Sequence, residues 1–362
     1  MNFRFVDLFC GGGGSITGAV NALRAAGENY EGRGFNHWET AIRTIQANHP
    51  EIVPNFARAC APIQSVLPDE VFDVDPERID VLWASPSCTH HSIAAGGKPR
   101  SNQLRSQPEY LLPFLRLTKC RRMFVENVRE LLDWGPLLDK DTVFHGKKYR
   151  AGSPDPRRKG AFFNLWLREI RASGYDVDLQ LMNSADYGAA TSRERLIVQA
   201  VRKSSGERIV WPEPTHTKEP GLLSGSYLPW RPAADVINWT IPGKSIFDRE
   251  KPLCKNTLRR IESGMRKYSG NPFLIEYYGH GDAVPVNIPL HTVTTRDRFG
   301  IVRGRTNQNI SLRFMTAGEL AAAMSFPRDY VFCGGDTAAK KQIGNAVPPL
   351  LAEALYRAVL TA

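Results

Sequence analysis

The chain has 362 residues and no apolar run approaching the roughly 18 consecutive residues of a membrane-spanning helix, so no membrane span is expected. Its first residues, MNFRFVDLF, enter a strand-like run at once and lack the basic, apolar and small-residue regions of a secretory signal. Cysteine is sparse: six residues stand at 10, 60, 88, 120, 254 and 333, and no two form a C-x-x-C pair. That excludes the usual signals of a zinc site or a disulfide framework, so a reducing, cytoplasmic setting and no metal are expected. There is no internal repeat and no low-complexity tract. Acid is short as well. Lys and Arg number 47 against 37 Asp and Glu, a net charge of +10, which favours a polyanionic partner. Between residues 200 and 310 there are 17 Lys and Arg against 10 Asp and Glu, so most of the excess falls in that third.

What is present is ordinary globular composition arranged in two textures. Up to about residue 205, strand-like and helix-like patterns alternate. FRFVDLF (3–9), IDVLWA (79–84), RRMFVENV (121–128), YDVDLQLMN (175–183) and RLIVQAVRK (195–203) read as strands. SITGAVNALRAAG (15–27), TAIRTIQANHP (40–50), YLLPFLRLTKC (110–120) and FFNLWLREIRASG (162–174) read as helices, two of them stopped by glycine. Strands apolar throughout, separated by helices, predict a parallel sheet covered on both faces. From about residue 206, prolines at 212, 214, 220, 229, 232, 242 and 252 interrupt any long element. Basic residues there interleave with Trp211, Trp230, Trp239, Tyr268, Tyr277 and Tyr278. A helix is expected over 311–326 and a C-terminal amphipathic helix over 347–362.

Ligands of such sheets meet the carboxyl ends of the strands. The run DLFCGGGGS places a glycine turn between a strand and a helix, where backbone N–H groups favour an anionic group. Dinucleotide and S-adenosylmethionine sites both fit it. A dinucleotide fold wants an acid at the end of the next strand, where GFNHWET places Asn36, His37 and Trp38 before Glu39. The loops after VLWA and MFVEN carry Cys88 and Glu126 to the same edge. Cys88 alone reads by default as a packing cysteine, and its place at a strand end, with Glu126 at the end of the neighbouring strand, reverses that. His90 and His91 beside it have no third or fourth metal ligand nearby. In ADYGAATSRERLIV, Arg193 and Arg195 alternate into a strand, which predicts that they share a face.

Six segments in order, spread from Asp7 to Leu355, resemble the motifs of the DNA cytosine-5 methyltransferase family: DLFCGGGGS, SPSCTHHS, FVENV, NSADYGAATSRERLIV, RFMTAGELAAAMSFP and QIGNAVPPLLAEAL. The resemblance implies a doubly wound, Rossmann-like α/β catalytic domain over 1–205. It implies a smaller, irregular, mostly β target-recognition domain over 206–305, and a return over 306–362 that completes the catalytic domain. The implied reaction is methyl transfer from S-adenosylmethionine to carbon 5 of a cytosine flipped out of double-stranded DNA. Cys88 is then the nucleophile, Glu126 the acid at ring nitrogen 3, and Arg193 and Arg195 the groups holding the base, phosphate or thiolate. Cofactor contacts are expected from Asp7, Phe9, Cys10, Gly11, Gly13, Gly14, Ser15, Asn36, His37, Trp38, Ile63, Pro86, Asn345 and Val347. The stretch 89–107 becomes a mobile loop, with Lys98, Arg100 and Arg105 meeting DNA phosphates. A monomer of prokaryotic or phage type is expected, with a cognate restriction endonuclease as a companion.

The chain departs from the family pattern in ways that bear on chemistry. Ser87 and Thr89 flank the cysteine where proline and glutamine are usual, and Thr191 stands in place of a glutamine. Asn36 or His37 occupies the position of the acid that binds ribose hydroxyls; Arg58, Ala59 and Cys60 stand where a second acid belongs. A cofactor pocket missing two acids is less negative, which also admits a modified S-adenosylmethionine donor bearing an extra negative group. The same motifs are compatible with RNA as the substrate, and the departures with a DNA-binding relative that lacks catalysis. A dehydrogenase leaves Cys88 and Glu126 unexplained.

Overall fold

The computed structural model describes residues 2–66, 79–87, 105–221, 227–278, 281–304 and 309–362. Contacts divide the chain into two units: Met1–Asn183 with Glu194–Pro212 and Ala352–Ala362, and Ser184–Arg193 with Glu213–Leu351.

The first unit is built on a six-stranded sheet. Its strands are β1 (Phe3–Leu8), β2 (Tyr30–Phe35), β3 (Val81–Ala84), β4 (Arg122–Asn127), β5 (Tyr175–Asn183) and β6 (Glu194–Arg202), in the order β2-β1-β3-β4-β6-β5. The first four are parallel. The all-parallel expectation fails at β6, which runs antiparallel to both β4 and β5. The long segment Ser184–Arg193 intervenes between β5 and β6, and β6 returns beside its predecessor without a crossover helix.

Helices cover both faces, as the apolar strands require. The helices longer than one turn are α1 (Gly14–Ala25), α2 (Glu39–Asn48), α3 (Leu111–Thr118), α4 (Ala161–Ala172) and, in the second unit, α5 (Lys255–Tyr268), α6 (Ala317–Ala323) and α7 (Gly335–Asn345). The last helix, α8 (Pro349–Leu360), carries the C-terminal part of the first unit. On one face Val6, Leu8, Leu82, Met123 and Val125 pack with Phe114 and Leu115 of α3 and Trp166 and Ile170 of α4. On the other, Tyr356 of α8 lies against the rings of Phe5, Trp83 and Phe124. Each such fully buried side chain contributes about 1.5–3 kcal/mol. Among the described residues no helix is long and apolar enough to cross a membrane.

The second unit carries an antiparallel sheet of β7 (Lys244–Ser245), β8 (Phe273–Glu276), β9 (Ala283–Pro285), β10 (Phe299–Arg303) and β11 (Ser311–Phe314), ordered β7-β11-β10-β8-β9. Two elements here correct the sequence expectations. The helix expected over 311–326 is a strand followed by α6, because Thr316 and Glu319 form a capping box that starts the helix there. The proline-free stretch after Pro252 also supports a full helix, α5, seated on β8 through Ile261 and Phe273.

The expected boundaries also shift. Leu320, Met324 and Ile343 share a core with Val236, Leu290 and Phe299. Residues 306–351 therefore belong with the second unit, and only Ala352–Ala362 returns to the first. Residues 184–193 belong to the second unit as well, through pairing of Thr191–Ser192 with Leu290–His291.

Candidate active site

The loop after β1 is fixed by backbone geometry that glycine permits. Gly11 and Gly13 have φ of 53° and 84°, and Phe9, unusually for an aromatic residue, has φ 66°. Gly13 N–H donates to the Cys10 carbonyl at 3.0 Å. The Cys10 thiol donates to the Phe35 carbonyl at 3.1 Å, tying the loop to β2. Burial pushes that thiol's pKa well up, so it stays protonated as the donor in this bond. Asp7 is buried and accepts a hydrogen bond from the Ser15 hydroxyl. Burial pushes the Asp7 carboxyl up to about 8; the Ser15 bond lowers it and the nearby Glu126 raises it. Its Oδ1 is buried without a hydrogen-bond partner among the described residues.

Beside this loop is a cleft of about 210 Å³ lined by Phe9, Phe35, Asn36, His37, Ala61, Pro62, Ile63, Gln64 and Gln107. Phe9, Asn36, His37 and Ile63 were expected there; Gln64 and Gln107 were not. No local pattern marks either glutamine, because each arrives from its own connecting segment. Among the described residues no carboxylate lines the cleft. Asn36 Oδ1 accepts from the Trp38 N–H at 2.9 Å, and Gln107 Oε1 accepts from the Ser87 N–H at 2.7 Å. Both amide oxygens are thus engaged by backbone, and each side chain retains its NH2 group as a donor.

At the end of β4, Glu126 and Asn127 are buried. Glu126 Oε1 pairs with Arg195 Nε at 3.1 Å, and both side chains are about nine-tenths buried. Asn127 Nδ2 donates to the Pro86 carbonyl at 3.0 Å, while its Oδ1 accepts from Val128 N–H at 2.8 Å. Ser85 N–H donates to the Leu8 carbonyl at 3.1 Å. The segment Ser85–Ser87 is therefore held by β1, by β4 and by Gln107, immediately before Cys88. Cys88, His90, His91, Lys98 and Arg100 lie outside the described residues. Among the described residues no cluster of three or more His, Cys, Asp and Glu side chains is placed to hold a metal ion.

Two arginine expectations change. Arg193 and Arg195 do not share partners: Arg193 Nη1 donates to the Val293 and Gly344 carbonyls of the second unit at 3.0 and 3.2 Å. Arg105, expected at a phosphate, is 1% exposed and donates from Nη1 to the Gly135 carbonyl at 2.6 Å. It anchors the chain ahead of α3 and is not a phosphate-facing side chain. Asn345 and Val347, the remaining expected cofactor contacts, follow in the second unit at the end of α7, where Asn345 is exposed and Val347 buried.

A mostly parallel sheet with a glycine turn and a cleft at its carboxyl edge defines a Rossmann-like enzyme. Residues 156–361 match the profile described as C-5 cytosine-specific DNA methylase, and the chain belongs to that family. It is a DNA cytosine-5 methyltransferase. It is similar to the Type II methyltransferase M1.HphI of Haemophilus parahaemolyticus, 26% identical over 99% of this chain and 87% of that one. M.BspRI of Lysinibacillus sphaericus is 24% identical over 99% of this chain and 81% of its own. Among solved structures, a DNMT2 variant from Spodoptera frugiperda shares the fold with TM-score 0.62 and 14% identity, covering 99% of this chain and 100% of its own.

The family's reaction is S-adenosylmethionine-dependent methylation of cytosine, and the residues present fit that cofactor. The glycine loop offers close backbone approach, the cleft offers an aromatic and amide lining, and Asp7 Oδ1 is buried without a hydrogen-bond partner among the described residues.

Proposed function

We propose that the chain methylates carbon 5 of a cytosine flipped out of double-stranded DNA, through a covalent bond to Cys88. The observation that carries this is the Glu126–Arg195 pair at 3.1 Å, next to an Asn127 that holds Pro86 two residues ahead of the cysteine. A thiolate at Cys88 bonds to cytosine carbon 6, and the displaced π electrons load carbon 5 and ring nitrogen 3 with charge. Glu126 gives nitrogen 3 a proton, and Arg195 stabilises the carboxylate left behind. Bound S-adenosylmethionine supplies the electrophilic methyl group that carbon 5 takes up. A base then removes the carbon-5 proton; the freed pair re-forms the ring double bond and expels the Cys88 thiolate, and nitrogen 3 returns its proton to the Glu126 carboxylate.

The glycine loop, Phe9, Asn36, His37 and Ile63 hold the cofactor. The second unit serves as the target-recognition domain. Lys98 and Arg100 meet phosphates in this reading, and Arg193 positions backbone around the arginine motif. The Type II names of the relatives support a restriction–modification setting with a cognate endonuclease.

The test is trapping on duplex DNA containing 5-fluorocytosine. The fluorine cannot leave as a proton does, so wild-type protein with S-adenosylmethionine should form a covalent complex and Cys88→Ala should not. An adduct with Cys88→Ala would overturn the assignment. Mass spectrometry of product DNA should show 5-methylcytosine; a heavier substituent would identify a modified donor. Methylation of transfer RNA in preference to duplex DNA would move the substrate to RNA.

A further inference from the structure

The connection from β4 to α4 runs over residues 128–160 and carries secondary structure of its own. Within it Thr142–Phe144 and Lys147–Tyr149 form an antiparallel hairpin, with Val143 opposite Lys148. His145 and Gly146 at its turn have φ of 46° and 72°, the left-handed pair that matches strand twist in a two-residue turn.

The stalk is firmly built. Leu138 is buried and exchanges hydrogen bonds with Ser153 and Gly152, both at 2.8 Å, and Asp141 Oδ1 accepts from Ala151 N–H at 2.8 Å. The hairpin itself contributes nothing to the core. None of residues 142–149 is buried, and Val143 is 63% exposed. An isolated two-stranded hairpin is marginal on its own, so its cost has to be met by something other than packing.

Between Thr142 and Tyr149 the charged side chains are Lys147 and Lys148, with no acid, while Asp139 and Asp141 flank Lys140 at the base. Lys140, Lys147, Lys148 and Arg150 form no ion pair among the described residues, whereas nearby Arg157 and Lys159 are paired with Asp155 and Asp133. Lys147 instead places its ammonium 5.5 Å from the Tyr149 ring. The connection also leaves the sheet from the carboxyl end of β4, directly after Glu126 and Asn127.

We propose that this hairpin is an arm that grips the phosphate backbone of duplex DNA, using Lys140, Lys147, Lys148 and Arg150 independently of base sequence. The proposal rests on the duplex-DNA reading above. Phosphate contacts release counterions, so log affinity falls with log salt by about 0.9 per phosphate neutralised. Replacing all four residues by glutamine should weaken duplex binding by about 10- to 100-fold and flatten the salt slope by about 2–4. Thermal unfolding and calorimetric S-adenosylmethionine binding of the full chain report that the fold persists. Should the fourfold variant misfold, Lys147→Glu with Lys148→Glu should still flatten the slope. Wild-type protein that methylates duplex DNA, beside a folded variant with an unchanged salt slope, would overturn the arm alone. Wild-type protein without salt-dependent duplex binding would overturn both the arm and the substrate reading.

Discussion

Asn127 Nδ2 donates to the carbonyl of Pro86 at 3.0 Å, joining the end of β4 to the segment that delivers Cys88. The same side chain accepts from Val128 N–H, so one buried amide fixes two strand ends. Asn127→Ala leaves the Pro86 carbonyl and the Val128 N–H without that partner, which costs about 1–3 kcal/mol for a buried group. We expect single-turnover methyl transfer to slow by about 10-fold or more, in keeping with misplacement near a reacting centre. The cleft residues are untouched, so S-adenosylmethionine affinity measured by calorimetry should stay near wild type. A wild-type turnover rate would remove Asn127 from the positioning role.

Glu126 and Arg195 make a second, independent test. Arg195→Leu leaves a carboxylate buried without its guanidinium, and breaking a buried pair from one side costs about 3–5 kcal/mol. Glu126→Gln with Arg195→Leu removes both charges and should recover part of that stability in urea unfolding. It should not recover methyl transfer, because loss of a proton donor costs about 10²–10⁴-fold. Recovery of both would mean that the pair is purely structural.

Much of this was legible in the sequence, and the gaps have physical causes. Strands β1, β3 and β4 stand out because both faces are buried, and their ends carry Asp7, the Ser85–Ser87 turn and Glu126 to one edge. β2 was weakly marked because its sequence, YEGRGF, is short of apolar residues. The structure explains the glycines: a Cβ on Gly32 would stand 2.5 Å from atoms of both Phe5 and Ile52. The fate of Arg105 and Arg193 was hidden for another reason. A basic residue in a motif reads as a ligand contact, and only tertiary structure shows that backbone carbonyls 30 or 100 residues away receive it. The divided second unit was hidden because its core draws on residues from Ala190 to Ala346.

Gly344 shows what the second unit demands of the segment before Asn345. A Cβ there would lie 2.3 Å from the Thr294 carbonyl carbon and 2.4 Å from the Thr295 nitrogen, both backbone atoms unable to rotate away. Its carbonyl also receives the Arg193 guanidinium. Gly344→Ala should therefore destabilise by about 1–3 kcal/mol, the usual cost of overpacking. Differential scanning calorimetry should show a lowered transition temperature. Unchanged stability would mean that α7 can shift from Thr294 at no cost.

The pair of Glu276 and His291 gives the second unit a pH dependence of fixed sign. Glu276 is buried, and His291 Nδ1 lies 2.6 Å from its Oε1. The hydrogen bond to Glu276 raises the His291 pKa above its ordinary value, more than partial burial lowers it. A histidine whose folded pKa is raised binds its proton more tightly in the folded state. The charged pair therefore contributes fully below about pH 6.5, the unfolded histidine value, and its contribution fades as pH rises through the higher folded value. His291 is about half exposed, so solvent screens part of the attraction. His291→Gln keeps a hydrogen-bond donor but no titrating charge. Its unfolding temperature should fall furthest below wild type near about pH 6, and the gap should narrow toward about pH 9. A gap that stays constant over that range would show that the neutral hydrogen bond, and not the charge, is what the buried carboxylate uses.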